Sequence, residues 1–403
     1  MTALRIVTVG CISLGCTFQT ARADWLHYRG PTHNGVVAES LPSSLPKDLK
    51  VLWREKVGTG QSSVTVQGGH LFTAGNADKS HDAVYCLDAK TGKTVWKHEY
   101  PQDLGAKYFD GGTRATPTAD GDRVYALSHN GDLFCLNAAN GNVKWYKHYL
   151  QDLGGRRPDW GFAGSPLVEG DVLICDVGGN GSSTVALNKV SGTIVWKSGH
   201  DEPGYGSPIV APIAGKPTVI VFKAKALVGY DLANGSELFR TDWKTSYDVN
   251  AITPVVVGDS VLVSSGYGTG AALYRVAGNQ ISRVWFQKQL RTQMNTPVVT
   301  QNLVFGIDGN NGGGNLVCLD FATGEEKWRE KSVRGGSLIL VGDKLVCLTE
   351  GGELLVCEAT ATGFKPLLRN QILDGRSWVQ PTVSGSVAYV KNNSGEIAAV
   401  SLQ

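Results

Sequence analysis

From residue 51 onward the chain is built of short stretches in which apolar and polar positions alternate, the two-residue period of half-buried strands. A typical stretch is Gly121-Asp-Arg-Val-Tyr-Ala126, followed by an Asn130-Gly131 hairpin signal and a second apolar run. That run leads into an eleven-residue phrase that closes on an aromatic. Cys86 to Trp96, Cys135 to Trp145, Ala186 to Trp196 and Cys318 to Trp328 keep one spacing; Gly229 to Phe239 ends on Phe. A sixth copy, ending at Trp285, is longer and lacks the Asp. Within the phrase an Asx residue and a Gly supply the backbone angles of a tight turn between two strands.

A further short strand recurs between phrases, opened by Thr or Ser and Pro at Thr116-Pro117, Ser165-Pro166, Ser207-Pro208, Thr253-Pro254 and Thr296-Pro297, and as Gln380-Pro381. Degenerate copies at Ser62-Ser63 and Gly336-Ser337 raise the count to eight. Proline cannot donate to a ladder, so this strand belongs at an edge, as the innermost strand of a propeller does. Each repeat therefore supplies four antiparallel strands, and a period of roughly 44 residues is that of one blade. The last repeat stops at Gln403 without its fourth strand. Trp53-Arg-Glu-Lys56 duplicates Trp328-Arg-Glu-Lys331, the outer strand of a complete repeat. The expected fold is all-β: an eight-bladed propeller over 51–403, with strand 51–57 pairing 396–402 to close the last blade. Residues 24–50 form a lead-in.

Residues 1–23 have the form of a secretory signal. Arg5 is followed by an apolar stretch from Ile6 to Phe18, and Ala21-Arg22-Ala23 is an A-x-A cleavage site. Cleavage after Ala23 leaves 36 residues of each charge sign, which argues against a nucleic-acid surface. The expected location is periplasmic or secreted. Lipid anchoring at Cys16 is the lesser alternative, because Ser13-Leu14-Gly15 lacks the aliphatic residue of a lipobox. The six remaining cysteines sit at repeat positions held elsewhere by Ala, Gly or Val. On the expected pairing none faces another, with Cys357 on the opposite face from Cys347; all six read as buried free thiols.

The turn phrase, with a small residue first, Asp third, Gly seventh and Trp eleventh, resembles the tryptophan-docking motif of the quinoprotein-like propellers. These include the pyrroloquinoline-quinone (PQQ) alcohol dehydrogenases and the BamB-type outer-membrane assembly lipoproteins. The lead-in Trp25-Leu-His-Tyr-Arg-Gly-Pro31 with Asn34-Gly35 is similar to a bacterial PQQ-binding-like subgroup. The resemblance implies that Trp53, Trp96, Trp145, Trp196, Phe239, Trp285 and Trp328 are structural docking residues. In the family's geometry each packs between the small first residue of the neighbouring repeat and a backbone plane.

Chemistry belongs at the channel mouth, in the residues ahead of each inner strand. The candidate ligand or partner contacts are Arg114, Trp160, Phe162, Tyr205, Tyr247, Asn250, Asn295, Arg334 and Trp378, with Gln293 and Gln380 beside them. Flat faces and fork-like donors suit a planar or polyhydroxylated anionic ligand. The long connections 97–113 and 146–163 share Gln-Asp-Leu-Gly, read either as inherited loop packing or as a raised wall. Gly-rich stretches at 178–181, 266–270 and 309–314 lie between strands and are hairpin tips, not phosphate cradles. Histidines show no metal-ligand spacing, so no metal is expected. The favoured reading is an exported, non-catalytic propeller that needs no cofactor and binds a cell-envelope protein or glycan. The alternative is a PQQ- and calcium-dependent alcohol or sugar dehydrogenase, with Trp378 or Trp160 stacking, Arg114 or Arg334 polarising the quinone and Asp248 as base. Against it, the chain lacks the adjacent cysteines those enzymes carry over the quinone.

Overall fold

The computed structural model describes residues 24–107, 109–309 and 313–403; the expected signal, its cleavage site and Cys16 lie outside them. Eight blades of four antiparallel strands, one extended by a short parallel strand, form the ring of an eight-bladed β-propeller. In chain order, blades one to eight begin with inner strands Thr65–Gln67, Thr118–Asp120, Leu167–Glu169, Ile209–Ile213, Val255–Val257, Val298–Thr300, Ser337–Val341 and Thr382–Ser384. Blades one to seven end on outer strands of their own. Blade eight takes its outer strand from the start of the chain: Lys50–Lys56 pairs antiparallel with Glu396–Ser401, Trp53 opposite Ala399.

Each docking tryptophan ties one blade to the next. Trp96 Nε1 donates to Ala138 O (2.8 Å), Trp196 Nε1 to Leu232 O (2.9 Å) and Trp328 Nε1 to Thr360 O (2.8 Å); Trp53 reaches Ala89 O the same way across the closure (3.1 Å). The indole lies on the next blade's turn glycine. A Cβ on Gly141 would stand 2.6 Å from the Trp96 ring, and Gly141 also has φ of 74°, so both space and backbone demand glycine there. One detail departs from expectation. The small residue facing each tryptophan belongs to its own blade, Cys86 opposite Trp96 and Ala186 opposite Trp196. The neighbour supplies the turn instead. The turn itself is an Asx turn, with Asp88 Oδ1 accepting from the backbone N–H groups of Lys90 (3.1 Å) and Thr91 (2.7 Å).

The Thr/Ser–Pro element also has a partner in the next blade. Ser63 N donates to Thr116 Oγ1, Thr116 N to Ser165 Oγ and Ser165 N to Ser207 Oγ, each at 2.9 Å. These bonds stitch the inner rim and satisfy donors that an edge strand would leave bare.

The cysteine pairing is shifted by one residue from expectation. Tyr125 faces Cys135, Val185 faces Cys175 and Leu355 faces Cys347. Cys357, opposite Leu345, therefore shares a face with Cys347. All six are free and buried.

The lead-in does more than precede the ring: it plugs it. Trp25 bridges Val66 at the far end of blade one's inner strand, and Val36–Val37 pairs parallel with Leu340 and Val341 of blade seven. Between them Arg29, fully buried, donates to Thr296 O (3.0 Å), Pro297 O (2.7 Å), Asn34 O (2.6 Å) and Gln380 Oε1 (3.2 Å). One side chain thus joins the lead-in to blades six and eight. No helix among the described residues is long and apolar enough to cross a membrane.

Candidate functional site

The plug turns the channel into a blind cavity of about 620 Å³ that opens on the mouth face. Tyr28, from the lead-in, lines it and interacts with the Thr296 side chain beside it. Deep in the wall lie the hydroxyls of Thr116, Ser165 and Ser207 and the amides of Gln61, Gln293 and Gln380. Each of those hydroxyls accepts a backbone N–H from an adjacent blade, which leaves its own proton to donate. Gln61 Nε2 is buried with no hydrogen-bond partner among the described residues. Gln293 Nε2 donates to Tyr267 Oη at 3.0 Å, and Gln380 is held by Arg29.

Nearer the mouth the wall is aromatic. Phe109, Trp160, Tyr205, Tyr247, Tyr267 and Trp378 all line it. Trp160 and Tyr205 stand edge to face, centroids 6.0 Å apart and planes at 69°. Tyr247, at φ of 66°, is 71% exposed at the rim and meets Tyr267 edge to face. Burial pushes the Tyr205 hydroxyl up to about 12, so it stays a neutral donor at pH 7.

The long connections build one side of this wall. Segment 97–113 contributes Lys107 and Phe109 and leads to Arg114; 146–163 contributes Asp159, Trp160 and Ala163; 197–205 ends on Tyr205. In the second, Tyr149–Leu153 forms a one-turn helix, its N-terminus capped by His148 and its end by left-handed Gly154. Arg114 stacks over Phe109 at 5.0 Å and donates to the carbonyls of Gly105 (3.0 Å) and Gly112 (3.3 Å), with its Nε buried and without a partner among the described residues. Burial, then the nearby Arg157, lowers its guanidinium to about 10, still protonated at neutral pH. Its hydrogen-bonded anchors are neutral carbonyls, while the carboxylates of Asp82 and Asp103 act on its charge from farther off. Lys107 Nζ lies 5.8 Å from the Trp160 ring centroid.

Of the residues expected at the mouth, Arg114, Trp160, Tyr205, Tyr247, Trp378, Gln293 and Gln380 do line the cavity. Asn295 lines a small recess beside it, next to Glu350 and Trp378. Phe162 and Asn250 turn inward instead. Phe162 packs edge to face on Tyr149 in the core of blades two and three. Asn250 donates to Lys223 O and Ala224 O and accepts from Ser265 Oγ. Arg334 is exposed and outside the lining, and Asp248 pairs with Lys225 at 3.4 Å on the rim. Tyr28, Gln61, Lys107, Phe109, Asp159, Tyr267 and Met294 were not among the expected contacts; of these Lys107, Phe109 and Asp159 lie in the two long connections read as loop packing or a raised wall, and Tyr267 is the aromatic inside a Gly-rich hairpin tip. Among the described residues no three His, Cys, Asp or Glu side chains are grouped as a metal site requires.

Comparison with known proteins places this geometry among related propellers. A sequence model of the family described as outer membrane protein assembly factor BamB matches residues 46–159, 111–330 and 309–403. No curated protein matches the chain in sequence. Among solved structures, BamB from Moraxella catarrhalis is similar at 16% identity and TM-score 0.63, over 88% of this chain and 98% of that one. The quinohemoprotein alcohol dehydrogenase ADHIIG from Pseudomonas putida HK5 is similar at 10% identity and TM-score 0.67, over 94% and 80%. The C-terminal WD40 domain of Sif2 matches at 12% identity and TM-score 0.60, over 89% and 99%. At these identities the structures share the fold alone.

Proposed function

We propose that this chain, which belongs to the family described as outer membrane protein assembly factor BamB, is an exported, non-catalytic binding protein of the cell envelope that takes its partner at the cavity mouth. One observation carries the reading. The cavity wall is a set of aromatic faces and fixed donors in which Asp159 is the single carboxylate, so it offers recognition without an acid–base pair. The family match supports placing the protein at the envelope.

PQQ with calcium, which the dehydrogenase branch would require, does not fit the residues present. A calcium ion needs several oxygen donors including charged ones. The lining brings one carboxylate, its other side-chain oxygens are neutral amides and hydroxyls, and Gln380 Oε1 is already taken by the Arg29 guanidinium. Asp248, the expected base, faces Lys225. The described cysteines are buried, none next to another in sequence.

The test is a titration of the purified protein with PQQ and calcium, followed by absorbance and by dye reduction with alcohols and sugars. Beside it runs capture from an envelope extract by wild type and by the Trp160→Ala/Tyr205→Ala/Trp378→Ala variant. The expected result is no stoichiometric quinone binding and a captured component that the variant loses at an unchanged melting temperature. Quinone binding with substrate-dependent reduction, or capture that survives the triple change, would overturn the proposal.

A further inference from the structure

The cavity's shape and its two tiers of chemistry narrow the occupant. We infer that it receives the end of a carboxylate-bearing sugar chain, a reading that rests on the binding function proposed above. The plug makes the first half of the argument. With Tyr28 at the closed end and Arg29 buried beneath it, a chain cannot thread through and must enter by an end. At about 620 Å³ the space lies within the range of small-ligand sites, roughly 300–1,000 Å³. That admits a few sugar units and excludes a folded protein segment.

The second half is chemical. Hydroxyls and amides crowd the deep wall, with Gln61 Nε2 buried and without a partner among the described residues. A buried donor without a partner costs free energy, which a ligand hydroxyl would recover. Above them, Trp160 and Tyr205 stand at 69° to one another. A flat aromatic ligand stacks best between parallel planes. A puckered sugar ring instead presents C–H faces and equatorial edges in different directions, which perpendicular π-faces can meet together. Finally, Arg114 is fixed by two backbone carbonyls and makes no direct carboxylate bond among the described residues, although Asp82 and Asp103 lie near enough to favour its charge. Lys107 adds a second cation above the Trp160 ring. A guanidinium so held matches the fork of a carboxylate. Neutral sugars would leave it unused.

The probes are a galacturonate tetramer, its carboxyl-reduced neutral counterpart, and long polygalacturonate, with binding read by calorimetry on the full exported chain. The tetramer should bind, and the reduced tetramer should bind about tenfold more weakly, the worth of a charged hydrogen bond. Arg114→Gln should weaken the acidic tetramer about tenfold and leave the neutral one unchanged. Lys107→Ala, on an exposed side chain that cannot upset folding, should weaken only the acidic probe. At equal mass of sugar, capacity should follow the number of chain ends. Equal affinity for the reduced tetramer would overturn the carboxylate assignment, and capacity proportional to mass would overturn entry by an end. No binding of any galacturonate probe, alongside envelope capture that still depends on Trp160 and Trp378, would sink the sugar inference alone and leave the binding function standing.

Discussion

Arg29→Met is the perturbation that most directly tests how the plug makes the site. The wild-type guanidinium donates to four acceptors from three parts of the chain, and no carboxylate pairs with it among the described residues. Hydrogen bonds to a charged group contribute about 1.5–3 kcal/mol each, so four give roughly 6–12 kcal/mol in favour of the plug. Burying a cation without a counter-charge costs several kcal/mol, and burial alone lowers the Arg29 guanidinium to about 10. The difference leaves a net contribution of about 2–4 kcal/mol, and methionine fills most of the volume, so no large cavity adds to it. That energy is local to the lead-in. The loss should therefore appear as faster hydrogen exchange at the Trp25 and Val66 amides and as protease cleavage within 24–49, with ring unfolding less affected. Arg29→Lys keeps the charge but offers three donors from a single nitrogen, and should fall between. If Arg29→Met keeps wild-type exchange at Trp25 and Val66 and the same resistance to cleavage, the guanidinium is not what holds the plug.

Three other outcomes follow from named contacts. Trp96→Ala should cost about 3–5 kcal/mol in a denaturant melt, while Trp96→Phe, which loses the bond to Ala138 O and part of the ring packed on Gly141, should cost less, about 2 kcal/mol; equal costs would contradict the docking geometry. Burial pushes the Asp82 carboxyl up to about 6, its hydrogen bond from Asn76 opposing only in part, so the folded state holds a proton that the unfolded chain releases near pH 4. Stability should therefore fall by about 3 kcal/mol as pH rises from about 4 to about 6, and Asp82→Asn should flatten that limb; parallel curves would refute the assignment. Thiol titration of denatured, unreduced protein should find the six free cysteines, and a bridge between Cys347 and Cys357 would be the first exception to look for.

The blades were legible because their signals are local and repeated. Pro after Thr or Ser marks where an inner strand begins, and an Asx residue four positions before Gly fixes a turn whatever surrounds it. The closing strand could be read because Trp53 to Lys56 repeats an outer strand found whole elsewhere. Register was a different matter. The pairing of the second and third strands depends on hairpin length, which varies between blades, and a slip of one residue exchanges the two faces. Cys357 was therefore set on the wrong side of Cys347. The same limit explains Phe162 and Asn250: their place ahead of an inner strand was readable, but their inward turn depends on Tyr149 and on the carbonyls of Lys223 and Ala224.

The plug escaped a sequence reading for a physical reason that bears on function. Its anchors join residues 267 and 351 positions apart, and the segment does not repeat, so no period could announce it. Ring closure needs only Lys50–Lys56. Nothing in the blades requires residues 24–37 to enter the channel, to bury a cation there, and to present Tyr28 to the cavity. Those placements cost chain entropy and the desolvation of Arg29. A ring already closed by strand pairing, docking tryptophans and inner-rim hydroxyls has little further need of them for its own stability. What they change is the cavity: an open channel offers a ligand walls only, whereas a floored one adds contacts at its end and excludes water behind them. The lead-in is therefore better understood as part of the binding site than as part of the scaffold, and changes at Tyr28 should act on affinity while the blades remain folded.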